Sequence, residues 1–272
     1  MIKFRHFLPV YLLLIFFVNG YSQSLTLISW NLKDMGNAKD ATEIRFIAET
    51  IRNADVVAIQ EVVAGQGGAQ AVARLVNDLN TMGAAWDYVV SDPTSSYGSG
   101  TERYAFVWKK SRVKLVGRPW LEKKYGGQIE REPYFATFSS SGKSFTVAGF
   151  HAIPKSKQPE TEIKYLQFLP EEYPDLNLIF AGDFNLPQSH SVFGPLRKMG
   201  YVSALVNQKT SLRQKCLSDG CLASEFDNIF YKPEHIKVTE KGIIHFYKNV
   251  ETFEKARLIS DHVPVYMKFV LN

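Results

Sequence analysis

Residues 178–187 read LIFAGDFNLP. Leu178, Ile179, Phe180 and Ala181 form the short continuous apolar run of a strand covered on both faces. The chain then turns polar at once, with Gly182, Asp183 and Asn185 inside four residues. A carboxylate and an amide at the lip of a core lose solvation unless something there uses them. The same change from apolar to polar recurs along the chain. Asn31 follows LISW, Gln60 and Glu61 follow VVAI, and His151 follows TVAGF. Asp227 and Asn228 open the strand that continues IFYK, and Ser260, Asp261 and His262 precede VPVYM. One Asp or Asn after a strand ordinarily caps a turn, and one His is ordinarily a satisfied structural histidine. Turns need neither His nor Glu, so the whole set points to a single rim where functional side chains gather.

Working outward, LTLISWNL (25–32) reads as a first strand. Ile44, Ile47, Ala48 and Ile51 in ATEIRFIAETIRNA (41–54) fall at helical spacing. DVVAIQEV (55–62) is a buried strand, and AQAVARLVNDLNTMG (69–83) is a second amphipathic helix ending at Gly83. WDYVVS, RYAFVWKK, YFATFSS and KSFTVAGFH alternate aromatic and β-branched residues as strands do. SSSGKS makes a hairpin turn between the last two. Residues 157–173 fit one helix with Glu160, Glu162, Glu171 and Glu172 on a solvated face. A short helix in SVFGPLRKMG and two late strands, EFDNIFYK and HVPVYMKFVL, complete the order. This succession predicts an α/β (α+β) fold of two mixed sheets packed together with helices outside. No repeat or Pro- or Ser-rich linker interrupts residues 23–272, which read as one domain.

The N-terminus stands apart. Lys3 and Arg5 precede an apolar run of 12 residues, Phe7 to Val18, too short to span a bilayer comfortably. Gly20 and Ser22 then offer small residues for a signal peptidase, so residues 1–22 read as a secretory signal cleaved near Ser22. The expected location is secreted or periplasmic. The mature chain has no second apolar run of membrane length, so no stable membrane association is expected, and a monomer is the default. Residues 1–22 carry Lys3 and Arg5 and no acid, so their loss takes the net charge from +5 to +3, which is unremarkable for the size. Trp30 reads as core packing rather than a stacking platform. The two cysteines, Cys216 and Cys221, flank Leu-Ser-Asp-Gly, a turn-forming stretch. In an exported protein they are expected to close a small disulfide loop.

The ordered motifs WN (30–31), IQEV (59–62), FH (150–151), GDFN (182–185), FDNIFY (226–231) and SDH (260–262) resemble those of the endonuclease/exonuclease/phosphatase superfamily. The resemblance runs from about residue 25 to the C-terminus. It implies a four-layer α/β/β/α sandwich. ERYAFVW (102–108), REPY (131–134) and HAIP followed by ETEI (151–154, 160–163) are similar to segments of the deoxyribonuclease I branch. There the Glu supports the first catalytic His, and the Arg contacts substrate phosphate. Departures are also visible. Val63 stands where that family has a groove-contacting Arg, Gly100 where it has a DNA-contacting Tyr (Tyr97 is nearby), and LEKKYGGQIE lacks the vertebrate acidic calcium loop.

The resemblance implies a catalytic set of His151, His262, Asp183, Glu102, Asp227 and Asn185. Hydrolysis of an anionic phosphodiester needs charge neutralisation, an activated water and a protonated leaving group. A hard divalent cation, Mg²⁺ or Mn²⁺ with Ca²⁺ as a further candidate, supplies the first and takes oxygen ligands. Glu61, Asn31 and Asp261 are the candidate ligands. Glu102 pairs with His151 and Asp227 with His262 by resemblance, each carboxylate fixing one tautomer of its imidazole. Arg131, Lys33 and Asn185 are candidates to bind substrate phosphate. The expected activity is metal-dependent, non-specific endonucleolytic hydrolysis of DNA, gripped by its backbone. The alternative is another phosphoesterase of the superfamily, a sphingomyelinase or an inositol-phosphate phosphatase. A catalytically dead binding module would have lost one of Glu61, His151, Asp183 or His262, and all are present.

Overall fold

The computed structural model describes residues 23–96 and 100–272. The expected signal peptide, residues 1–22, and Tyr97 lie outside the described residues. In chain order the elements are β1 (Leu25–Met35), α1 (Ala41–Ile51), β2 (Val56–Val63), α2 (Gln66–Asn80), β3 (Trp86–Val90), β4 (Glu102–Lys109), β5 (Lys114–Leu121), β6 (Tyr134–Ser140) and β7 (Lys143–His151). They continue with α3 (Glu160–Ile163), α4 (Leu169–Glu172), β8 (Leu178–Asp183), α5 (Gly194–Lys198), β9 (Val202–Ser203), β10 (Leu212–Leu217), β11 (Gly220–Leu222), β12 (Asp227–Tyr231), β13 (Ile236–Ile243), α6 (Phe253–Ile259) and β14 (Val265–Leu271).

Two six-stranded mixed sheets form, in the orders β13-β14-β1-β2-β4-β3 and β5-β6-β7-β8-β12-β9. Their facing surfaces enclose a hydrophobic core that includes Leu27, Ala58, Phe106, Trp108, Phe138, Val147, Ile179 and Phe269. The outer face of the first sheet packs Ile28, Val57 and Val107 against the apolar stripes of α1, α2 and α6. That of the second packs Phe135, Phe180 and Phe230 against α3, α4 and α5. The result is the expected four-layer α/β/β/α sandwich.

Each sheet contains one parallel pair, β1 with β2 and β7 with β8. Parallel strands end at the same edge, and an antiparallel neighbour begins there. Asn31, Glu61, His151 and Asp183, at strand ends, therefore meet Glu102 and Asp227, at the starts of β4 and β12. This topology turns scattered motifs into one rim.

Helix α1 buries Ile44, Ile47, Ala48 and Ile51 and begins in a capping box between Asp40 and Glu43. Helix α2 starts earlier than expected, at Gln66. At Gly68 a Cβ would lie 2.0 Å from the Val63 carbonyl oxygen, so the close helix–strand approach requires glycine. The β6–β7 turn runs through Ser141 and Gly142, both at positive φ, as a tight hairpin demands.

The single helix expected over 157–173 is corrected by the structure. The segment breaks into 3₁₀ turns around the four-residue helices α3 and α4. Pro159 and Pro170 lack the N–H that a continuous ladder needs. Glu162, expected in solvent, is buried, whereas Glu171 and Glu172 are exposed. Strands β5 and β13, helix α6 and the β10–β11 ribbon carried no clear signal. β5 contains Gly117 and Pro119 and shifts register between Val116 and Trp120. Cys216 and Cys221 are bonded across the β10–β11 ribbon.

Candidate active site

The rim is built where regular structure stops. Register shifts follow Asn31 in β1 and Ile59 in β2. Lys33, Asp34, Glu61 and Asn185 all hold positive φ. Such irregularities re-aim side chains at strand ends.

Asp183 is the pivot. It lies opposite His151 on one side and Asp227 on the other in the sheet register, and it is 1% exposed. Its Oδ2 lies 3.5 Å from His151 Nε2 and 3.6 Å from His262 Nε2. Asn31 Nδ2 donates to the same oxygen at 3.3 Å, and the Asn185 backbone N–H donates to Oδ1 at 2.9 Å. Burial works against this charge, but His262, His151 and these hydrogen bonds outweigh it and hold the carboxyl below its usual range.

Each imidazole is fixed from behind. His151 Nδ1 lies 2.9 and 3.0 Å from the two carboxylate oxygens of Glu102, and its backbone N–H donates to Tyr104 Oη at 3.1 Å. His262 Nδ1 lies 2.7 Å from Asp227 Oδ2. Burial disfavours the imidazolium of His262, but Asp227 and Asp183 more than compensate, raising its pKa to about 10. The proton of that pair sits on the imidazole, because two carboxylates face it. Burial likewise opposes the charges of Glu102 and His151, whose mutual attraction lowers the first pKa and raises the second. Both pairs cross the interface between sheets. Glu102 lies in the first sheet and His151 in the second, whereas Asp227 lies in the second and His262 leads into the first.

Asn31 and Glu61 come together, with Asn31 Nδ2 donating to Glu61 Oε1 at 2.9 Å and the Asp34 backbone N–H donating to Oε2 at 3.2 Å. The Glu61 side chain stays 28% exposed on the wall of a cavity of about 390 Å³ that Glu102 and Arg131 also line. Asp261 is placed differently. Its carboxylate is 3.8 Å from Arg257 Nη2, and its backbone carbonyl accepts from Leu212 N–H. Lys33 is half-buried, and its backbone N–H donates to Asn31 Oδ1 at 3.0 Å. Asn185 Nδ2 donates to the Ala152 carbonyl at 3.0 Å. Arg131 is 7% exposed and points inward. Its Nη1 donates to Glu102 Oε2 at 3.0 Å and lies 2.9 Å from His151 Nδ1, while Nη2 donates to the Ala152 carbonyl.

The donors fit a hard cation. Glu61 and Asp183 offer carboxylate oxygens on either side of His151 Nε2, which is 3.9 Å from Glu61 Oε1. A second acid–imidazole group, Asp183, Asp227 and His262, brings ligand atoms within 4.8 Å of one another. There the ligand atoms already engage each other, so Glu61 is the better anchor. A larger cleft, about 990 Å³, runs between Asp87–Val90 and Arg118–Leu121 and contains none of these groups.

Thr210 had no readable signal, whereas Ser260 stood in the SDH motif. Thr210 Oγ1 donates to Asp227 Oδ2 at 2.7 Å and accepts the Phe226 and Asp227 backbone N–H groups. Ser260 Oγ donates to the Asn31 carbonyl and accepts His262 N–H. Trp30 is fully buried, as expected, and its indole N–H donates to the His262 carbonyl at 2.8 Å. Gln60 and Asn228 prove to be structural. The first bonds Ser29, and the second bonds the backbone of Leu205.

The chain is similar to known proteins over most of its length. A protein named Deoxyribonuclease from Thioalkalivibrio sp. (strain K90mix) is 29% identical over 285 residues, covering 96% of this chain and 75% of its own. Deoxyribonuclease gamma of Rattus norvegicus is 26% identical over 289 residues, 96% of this chain and 89% of its own. A solved endonuclease/exonuclease/phosphatase family protein from Bacteroides thetaiotaomicron shares the fold, with a TM-score of 0.66 over 93% of this chain and 99% of its own at 17% identity. Fold and rim define a hydrolase of phosphoric esters. The Endonuclease/Exonuclease/phosphatase family matches residues 28–262, and the chain belongs to it.

Proposed function

We propose that the protein is a secreted, divalent-cation-dependent endonuclease that hydrolyses the DNA backbone with little sequence preference. The observation that carries this reading is the convergence of two carboxylate-backed imidazoles on one buried oxygen, Asp183 Oδ2. DNA as substrate is favoured by the relatives named deoxyribonucleases. Export is favoured by the sequence of residues 1–22. Among the described residues, no helix is long and apolar enough to cross a membrane.

Glu61, supported by Asn31, is the residue to hold Mg²⁺ or Mn²⁺, with Asp261 as an outer candidate. When bound, the cation neutralises phosphate charge and acts as a Lewis acid. Glu102 and Asp227 hold the Nδ1 atoms, so each Nε2 is the working nitrogen. One ring takes the proton of the attacking water, and the other returns a proton to the leaving oxygen. Asp183 holds both rings in register. Asn185 and Lys33 contact phosphate oxygens, the first as a neutral donor.

The test is incubation of the mature protein with supercoiled plasmid, in Mg²⁺ and in chelator, beside His151→Ala and His262→Ala. Each substitution is expected to lower kcat at least about 10²-fold, the scale of lost acid–base catalysis. Plasmid left intact at high enzyme concentration sinks the DNA reading. Metal-dependent nicking that survives either substitution sinks the assigned roles.

A further inference from the structure

Glu162 belongs to no strand-end motif and lies on the short helix α3. It is 3% exposed, and no cation forms an ion pair with it among the described residues. Its Oε1 accepts the Glu130 backbone N–H, and its Oε2 accepts the Ile153 backbone N–H at 3.0 Å. These amides belong to separate segments, one entering β6 and the other leaving β7. Glu130 immediately precedes Arg131, and Ile153 immediately follows Ala152.

Arg131 and Ala152 in turn meet each other. The Ala152 carbonyl accepts from both Arg131 Nη2 and Asn185 Nδ2. Arg131 Nη1 sits against Glu102 and His151 Nδ1. One carboxylate thus ties the two backbone segments that carry Arg131 and His151, and Asn185 bonds to the second of them. We infer that Glu162 is a positioning residue of the hydrolytic reaction, acting on His151 through Arg131.

The chemistry of the site argues for this over simple packing. A buried carboxylate without a paired cation is expensive where an apolar side chain could fill the space. Two converging N–H donors need two acceptor oxygens, which Glu supplies and Gln does not. Losing an acceptor leaves a buried N–H unsatisfied and lets its segment drift. A drift well under 1 Å matters to a proton-transfer geometry.

The inference rests on His151 working in catalysis, as proposed above, and is tested in two independent ways. In the first, kinetics are compared for Glu162→Gln, Arg131→Met and the double variant on supercoiled plasmid with Mg²⁺. Glu162→Gln is expected to lower kcat about tenfold, short of the loss from a full 1 Å displacement, with KM nearly unchanged. The double variant should be no slower than Arg131→Met alone, because both act along one route. Unchanged kcat in Glu162→Gln, or losses that multiply in the double variant, overturns the inference.

The second measurement needs no substrate. It follows the low-field proton NMR resonances of the two imidazole Nδ1–H groups, assigned by their loss in His151→Ala and His262→Ala. In Glu162→Gln the His151 resonance should shift or vanish while that of His262 stays. Both moving together, or neither moving, overturns the inference. If Glu162→Gln does not fold, Glu162→Asp, which keeps both acceptors on a shorter arm, takes its place under the same criteria. If the unmodified protein fails to nick plasmid, the DNA reading falls and the NMR result alone decides the role of Glu162.

Discussion

Asp183 can serve as a pivot because Gly182 precedes it. A Cβ at 182 would lie 1.8 Å from the Phe150 carbonyl oxygen, inside the β7–β8 pairing that sets His151 against Asp183. Gly182→Ala is expected to lower stability by about 3 kcal/mol or more, the upper range for forced overpacking, because the obstacle is backbone. Urea unfolding of the variant checks the magnitude. His262 yields a pH prediction. Its folded pKa, about 10, lies above its ordinary 6.5. The stability it contributes is therefore fully present below about pH 6.5 and is lost as pH rises through about 10. Thermal midpoints in chelator should fall over that window, and less steeply in His262→Asn. Parallel curves for the two proteins refute the pairing. At this scale the resemblance offered the two acid–imidazole pairs, which the structure brings together, while the residues by themselves offered types but not partners. His, Glu and Asp at strand ends stood out, whereas Thr210 and Tyr104 were silent. Their bonds to Asp227 and His151 span 17 and 47 residues, and neither type is unusual in a loop or a strand.

Among elements, α1 and the central strands were legible because periodicity and burial agree. Ile44, Ile47, Ala48 and Ile51 all face the first sheet. The segment 157–173 was misread as one helix because Pro159 and Pro170, which break it, were read through. The same error put Glu162 in solvent. The β10–β11 ribbon was illegible as strands, being short and largely exposed, although its cysteines announced the crosslink. Closing so small a loop removes about 2 kcal/mol of chain entropy. Changing both Cys216 and Cys221 to Ser is expected to cost no more than about that, with faster amide hydrogen exchange confined to residues 212–222. Exchange that accelerates across both sheets would show that the crosslink holds more than its own ribbon. Since Leu212 N–H donates to the Asp261 carbonyl, the same variant tests whether the ribbon steadies the SDH turn.

For the whole molecule, the excess of carboxylates at the rim predicts coupling between cation and fold. Glu61, Glu102, Asp183 and Asp227 gather around Arg131 and two imidazoles. A cation that binds only the folded state should stabilise it by about 1.4 kcal/mol at ten times its Kd. Mg²⁺ should therefore raise the thermal midpoint, and Glu61→Gln should abolish the increase. An equal increase in the variant would move the site away from Glu61. Two mixed sheets with outer helices were legible at this scale from the order of elements. The single rim was legible too, from the polar residues at strand ends, but not which strands run parallel to build it.

Each acid–imidazole pair has one foot on either sheet. The site is therefore a gauge of alignment between the two halves, like two marks that coincide at only one setting. A slip of one sheet past the other separates both pairs together, long before any strand is lost. Shape changes among Phe106, Phe138 and Phe145, deep in the seam, will then be felt at the rim as lost turnover. Catalytic rate becomes a ruler for the fit of the hidden interface.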